Sequence, residues 1–305
     1  MICTLCPRNC GAERTAEHGS GFCGMPAGLR VARAMLHRWE EPPISGTNGA
    51  GTVFFSGCTL RCCYCQNGSI SAGGQGKDIS TARLREIFDE LISRGAHNIE
   101  LVTPTHFLPW ILPALEPKLP VPVVYNCGGY EKVDTLRQLE GKVDIYLPDL
   151  KYADGALAKA LSGAEDYFPT ACEAIREMFR QVGPPVYDEN GLMKQGVILR
   201  HLVLPGYLNN TRQVLDWIAE TFAPGDVAMS LMSQYTPPTG MTGRLARRVT
   251  AAEYRAAVTY MRNCGIEDGF VQERTSAEDA YTPAFDGTGA VSYTHLRAHE
   301  TRRHL

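Results

Sequence analysis

Residues 52–67 read Thr52-Val53-Phe54-Phe55-Ser56-Gly57-Cys58-Thr59-Leu60-Arg61-Cys62-Cys63-Tyr64-Cys65-Gln66-Asn67. The first four are a short apolar, β-rich run that predicts a buried strand. Cys58, Cys62 and Cys65 follow at once, with three and then two residues between them. Thiolates at that spacing can wrap one face of an iron–sulfur cube and take one iron each, leaving the fourth iron without a protein ligand. A cluster that only carries electrons uses a fourth cysteine, whereas an open iron is a place to bind and reduce a ligand. Zinc wants four closed ligands, commonly in paired C-x2-C units. The spacing, the preceding strand and the aromatic Tyr64 therefore favour the cluster. Cys63 is adjacent to Cys62, points away from the same cluster, and is read as structural. A cluster loop at the C-terminal end of a first strand is where barrel enzymes place their chemistry.

Working outward, the 305 residues, 44% hydrophobic, suffice for one domain of barrel size. No apolar run approaches the roughly 18 residues of a membrane span, and the N-terminus lacks a charged-then-apolar signal. The eleven cysteines concentrate at the front instead of forming an evenly spread disulfide framework. That pattern fits metal binding in a reducing cytoplasm. The formal net charge is −3 with no basic stripe, so neither nucleic acid nor a membrane is an expected partner.

Residues 291–305 have no apolar period and contain His295, His299 and His304. The stretch resembles a translated sequencing adapter, is expected to be non-native, and is excluded from the fold. Those histidines are not offered as metal ligands. Without the tail the count is 27 Lys+Arg (30 less 3) against 32 Asp+Glu (33 less 1), a net of −5.

The first 25 residues hold Cys3, Cys6, Cys10 and Cys23 among Pro7 and several glycines. Four thiols with almost no apolar residues around them imply a metal-held knuckle. Their spacing permits either tetrahedral zinc or a second iron–sulfur cluster, with a structural or electron-relay role. Residues 1–50 are read as a small Cys-rich extension and 51–290 as the main domain.

From Gly51 on, short apolar runs alternate with amphipathic helical patterns, the signature of parallel βα units. Strands are predicted at Thr52–Phe55, Ile99–Val102, Val121–Tyr125, Val143–Leu147, Val197–Leu204 and Val227–Leu231. The first helix starts at a Ser80 or Thr81 cap, carries Leu84, Ile87, Phe88, Leu91 and Ile92 on one face, and stops at Gly95. Further helices are predicted at Val133–Leu139, Tyr167–Val182, Arg212–Phe222 and Ala251–Arg262. The expected fold class is α/β: an incomplete (βα)6 TIM-like barrel, open on one side.

Polar residues cluster where these strands finish, the edge at which barrel sites form. Asn126, Gly128 and Gly129 follow the third strand, where glycine lets backbone approach a ligand. Asp149 and Lys151 follow the fourth, two residues apart and so on one side of an extended chain. There Lys151 can pair with a ligand carboxylate while Asp149 accepts from a hydroxyl or amine. His201, within an apolar run, is read first as a core histidine, and Cys127, Cys172 and Cys264 as structural.

Landmarks along nearly the whole chain resemble one family. They are Cys-Pro-Arg-Asn-Cys at 6–10, Glu-Glu-Pro-Pro-Ile-Ser-Gly at 40–46, Val-Phe-Phe-Ser-Gly-Cys at 53–58 and Val-Thr-Pro-Thr-His at 102–106. Tyr-Asn-Cys-Gly-Gly-Tyr-Glu at 125–131, Asp-Ile-Tyr-Leu-Pro-Asp-Leu-Lys-Tyr at 144–152, Arg-His-Leu-Val-Leu-Pro-Gly at 200–206 and Met-Ser-Gln-Tyr at 232–235 complete the set. The chain resembles the pyruvate formate-lyase activating enzyme-like radical S-adenosylmethionine (SAM) proteins. The resemblance implies a [4Fe–4S] cluster on Cys58, Cys62 and Cys65, with SAM chelating the open iron. Reductive cleavage would give a 5′-deoxyadenosyl radical that abstracts hydrogen from a substrate. It implies SAM contacts from Tyr64, Asn126, Gly128, Asp149 and Lys151, and an electron donor such as flavodoxin or ferredoxin. One departure stands out. Where activating enzymes place Gly-Gly-Glu after the second strand, this chain has Thr103-Pro104-Thr105-His106, with Thr105 or His106 as substitutes. The implied substrate is a glycine of a partner glycyl radical enzyme. The alternatives are radical modification of another protein or small molecule, or a non-catalytic iron–sulfur or zinc electron relay.

Overall fold

The structure, a computed structural model, describes residues 2–271 and 283–291. His295, His299 and His304 lie outside the described residues. The strands are β1 Leu29–His37, β2 Ala50–Phe55, β3 Lys77–Ile79, β4 Ile99–Val102, β5 Val123–Cys127, β6 Ile145–Pro148, β7 Val186–Tyr187, β8 Met193–Leu202, β9 Ala228–Met232 and β10 Gly269–Val271. They form one sheet in the order β10-β9-β8-β6-β5-β4-β2-β1-β3, with β7 paired to β8. From β2 through β10 that path is parallel throughout. β1 runs antiparallel to β2 and carries β3. Among the described residues the two ends of the path, β3 and β10, are not paired with each other. No helix among the described residues is long and apolar enough to cross a membrane.

Helices cover the outer face, so the central strands are buried on both sides and read as near-continuous apolar runs. The helix Thr81–Ser93 shows how locally the sequence specifies such an element. Ser80 caps it by accepting from the Arg83 N–H, and Leu84, Ile87, Phe88 and Leu91 are buried on one face. Gly95 then turns the chain at φ +89°.

The period-2 alternation of the strands sets the interior. Outward-facing Val53, Leu101, Tyr125, Tyr146, Leu199 and Leu231 join the large core under the helices. Inward-facing Ala50, Val124, Ile145, Leu147, Ile198 and Ala228 close into a separate apolar cluster with Ile44 and Met193. One step further along the same inward rows come Thr52, Glu100, Asn126, Arg200 and Ser230. The interior is thus an apolar floor at one end with a polar layer above it.

The six predicted parallel strands are present, Ile99–Val102 with its predicted bounds and the others with shifted ends, and β10 adds a seventh parallel strand. Gly269 is required there: a Cβ would stand 2.1 Å from the Met229 carbonyl oxygen. β1 is the larger departure. It falls within residues 1–50, read as an extension, yet it is laid into the sheet through Val31–His37 against β2. Its side chains alternate only loosely, so it had no clean period to betray it.

Candidate active site

The cluster loop leaves β2 through Ser56 and Gly57. Gly57 has φ +79°, and a Cβ would meet Met25 Cγ at 2.4 Å, with the Cys23 carbonyl oxygen and His106 Nε2 at 3.1 Å. Only glycine fits where the N-terminal segment closes on the loop. Arg61, at φ +50°, turns the chain between Cys58 and Cys62. The Leu60 N–H donates to Cys58 Sγ at 3.3 Å and the Ser162 hydroxyl to Cys62 Sγ at 3.0 Å. Behind Ser162 a chain of hydroxyls continues: Tyr152 lies 2.7 Å from Ser162 Oγ and donates to Tyr64 at 2.8 Å. Cys63 is exposed, and its N–H is tied to the Leu161 carbonyl at 2.9 Å.

Cys58, Cys62 and Cys65 line one end of a cleft of about 480 Å³, together with Tyr64, Asn126, Gly128, Asp149 and Lys151. These eight residues therefore meet in one cavity. Burial pushes the Cys58 thiol up to about 12 and raises Cys65, so both stay protonated until a bound metal displaces the proton. Three thiols facing a cavity of this size fit a cluster with one open iron. Among the described residues no three His, Cys, Asp or Glu side chains are arranged for a single metal ion.

One network pairs much of the charge in the cleft. Arg200 bonds Asp149 Oδ1 through Nε at 2.9 Å, Asn126 Oδ1 at 2.6 Å and Glu40 at 3.2 Å. Lys151 pairs with the other oxygen of Asp149, and Asn126 donates to Glu100 at 2.6 Å. Burial opposes the Asp149 charge, but Arg200 and Lys151 outweigh it and hold the carboxyl below its ordinary range. Burial alone pushes Glu40 well above its range, and Glu100 adds to it. Gly128 keeps the layer tight: a Cβ there would stand 2.7 Å from Leu60 Cδ1 and 3.7 Å from Lys151 Cε.

The expectation for the turn after β4 needs correction. Thr105 is buried and donates to Glu131 at 2.9 Å, and His106 Nε2 bonds the Ser56 carbonyl at 2.7 Å. Neither lines the cleft; Thr103 does, at φ +57°. His201 is a satisfied core histidine, bonded to the Leu150 carbonyl at 2.6 Å and Thr211 Oγ1 at 3.0 Å. Sequence reasoning gave no site role to Glu40, Glu41, His37, Ser230, Tyr152 or Ser162. The Glu40-Glu41-Pro42-Pro43 landmark was the available signal, but nothing local says that it enters the sheet interior.

The four N-terminal thiols share one segment but are not arranged around a common metal position among the described residues. The Cys6 thiol, pushed up to about 12 chiefly by burial, is in the field of Cys23 and Cys3, and Cys23 in that of Cys3 and Cys10. The segment is clasped to the cluster loop. Arg8 donates to the carbonyls of Thr59 at 2.7 Å, Ser162 at 2.6 Å and Gly163, while Arg61 donates to the Phe22 carbonyl at 3.0 Å.

A family described as a 4Fe-4S single cluster domain matches residues 44–103, whose cysteines are Cys58, Cys62, Cys63 and Cys65. The backbone resembles SuiB of Streptococcus suis bound to S-adenosylmethionine, with a TM-score of 0.50 at 14% identity over 71% of this chain and 48% of SuiB. The chain shares the fold of SuiB. A second SuiB structure gives a TM-score of 0.50 at 15% identity over 73% of this chain and 48% of that one. The uncharacterized protein MJ0674 of Methanocaldococcus jannaschii is 29% identical over 245 residues, 77% of this chain and 66% of MJ0674. The chain thus spans about half the length of SuiB and just under two thirds of MJ0674.

Proposed function

We propose that this protein is a radical SAM enzyme. It would hold a [4Fe–4S] cluster on Cys58, Cys62 and Cys65 and bind SAM along the cleft toward Asn126, Gly128, Asp149 and Lys151. A reduced cluster held there would supply one electron to bound SAM, whose reductive cleavage to methionine would open hydrogen-abstraction chemistry on a substrate. The observation that carries this reading is the convergence of three thiols and the Asp149–Lys151 pair on one cavity.

The chain's own residues position the ligands. Lys151, kept protonated because Asp149 outweighs its burial, presents a cation to a carboxylate near the thiols. Asp149, charged and bonded to Arg200, offers its carboxylate to a hydroxyl or ammonium. Tyr64, buried and packed against Tyr235 with ring centroids 6.1 Å apart, forms an apolar wall beside Cys65. The Ser162 hydroxyl donates to Cys62 Sγ, which favours the electron-rich state of a bound cluster.

The test is anaerobic. The protein is reconstituted with iron and sulfide, reduced with dithionite and given SAM, and 5′-deoxyadenosine is measured by chromatography. We expect product from the native chain and none from Cys62→Ala. A fully loaded, reduced protein that neither binds SAM nor yields product returns the chain to an electron-relay role.

A further inference from the structure

The wall of the cleft formed by β9, the end of β1 and the segment after it carries polar groups that the cluster and SAM assignments leave unused. Glu41, 7% exposed, has a carboxylate oxygen with no hydrogen-bond partner. His37 Nδ1 and Ser230 Oγ, on residues 5% and 1% exposed, are equally unpartnered. All three residues line the cleft. Buried polar groups are nearly always bonded, so three unpaired acceptors on one cavity call for a ligand. They belong to one neighbourhood: Ser230 stands opposite Arg200 in the β8–β9 register, and Arg200 lies in the field of Glu41.

The pairing pattern states the ligand's charge. Among the acids, Asp149 is matched by Lys151 and Arg200, and Glu40 by Arg200. Glu41 forms no ion pair among the described residues, and Arg38, the remaining cation lining the cleft, is exposed at its rim. Burial lowers His37 to about 4, so its imidazole is neutral, and in the Nε2–H tautomer its unpartnered Nδ1 is an acceptor. A carboxylate, an imidazole nitrogen and a hydroxyl match the three donors of an alkylammonium.

We propose that Glu41, His37 and Ser230 form a substrate subsite of this cleft for a cationic nitrogen group, an aliphatic ammonium or guanidinium. The proposal rests on the radical SAM reading, since it assigns the substrate's place beside SAM. A lysyl or arginyl side chain, a free amino acid or a polyamine has the required chemistry.

The test uses the full chain, reconstituted with its cluster and saturated with S-adenosylhomocysteine so that the Asp149–Lys151 end is filled. n-Butylammonium, n-butanol and butyrate, alike in shape and different in charge, are titrated by anaerobic calorimetry. We expect n-butylammonium to bind at least tenfold more tightly than the other two. Glu41→Gln is expected to abolish that preference with iron content and S-adenosylhomocysteine affinity unchanged. Equal binding of the three probes, or a preference that survives Glu41→Gln, overturns the subsite. Should Glu41→Gln fail to fold, the probe series on the native chain and on Ser230→Ala decides, with a weaker ammonium preference expected in the latter. Failure of the radical SAM reading is distinct: the protein then holds no cluster or does not bind S-adenosylhomocysteine.

Discussion

Arg200→Met tests the charge balance of the polar layer most directly. The guanidinium touches Asp149 at 2.9 Å, Glu40 at 3.2 Å and Asn126 at 2.6 Å, and its side chain is 13% exposed. Methionine keeps the volume of the stem and removes the charge. Asp149 retains Lys151, so the group left stranded is chiefly Glu40, 12% exposed and already pushed above its ordinary range by burial. Breaking a buried pair by deleting one partner costs about 3–5 kcal/mol, and Lys151 places the expectation near the lower figure. The loss must depend on pH. Without Arg200 the folded-state pKa values of Glu40 and Asp149 rise. A raised acid contributes stability below its unfolded pKa and loses it as pH rises through the folded value. The variant is therefore expected to be about 3 kcal/mol less stable at pH 8 and measurably closer to the native protein at pH 5. The assay is urea unfolding of the reduced, metal-free chain. Adding Glu40→Gln removes the stranded carboxylate and should recover about 1–2 kcal/mol. A loss below about 1 kcal/mol at pH 8, or equal losses at the two pH values, would refute the reasoning.

Three further outcomes are expected. Ser162→Ala removes the donor to Cys62 Sγ and should shift the cluster potential to more negative values at unchanged iron content; an identical potential in a titration monitored by electron paramagnetic resonance denies that hydroxyl a tuning role. Glu131, which burial raises to about 8, keeps its proton in the fold and loses it in the unfolded chain over the range from about pH 4.3 up to that value. Its stabilisation is full below that window and drains by about 1.4 kcal/mol per pH unit within it, so Tm should fall between pH 5 and 8 and Glu131→Gln should flatten the profile. Cys6→Ser should lose the metal of the N-terminal thiols and keep the roughly four irons of the main cluster, as read by iron and zinc analysis; unchanged total metal shows that those thiols hold none.

Local chemistry made much of this protein legible in advance. The apolar run Val53–Phe55 can only be a buried strand, and the helix Tyr167–Val182 appears with the bounds its period predicts. The spacing of Cys58, Cys62 and Cys65 is a property of a dozen consecutive residues, so its chemistry could be read without a fold. Asp149 and Lys151 were found because they sit at a strand end, and strand ends are legible from periodicity.

What tertiary structure decided were contacts between distant segments. β1 pairs with β2 because the sheet needs an edge partner there, although its own alternation is weak. Arg200 acquired its role from residues up to 160 positions away, and whether it bonds Glu40 depends on how the segment after β1 enters the interior. The hydroxyl chain from Tyr64 to Cys62 crosses 88 and then 100 positions of sequence. Thr105 and His106 were plausible ligands by position and turned out to be buried, because backbone geometry at Thr103 turns them into the core. Short-range spacing determines which chemistry a segment can perform; only packing, which sets burial and neutralises some charges while stranding others, determines which groups remain free to perform it.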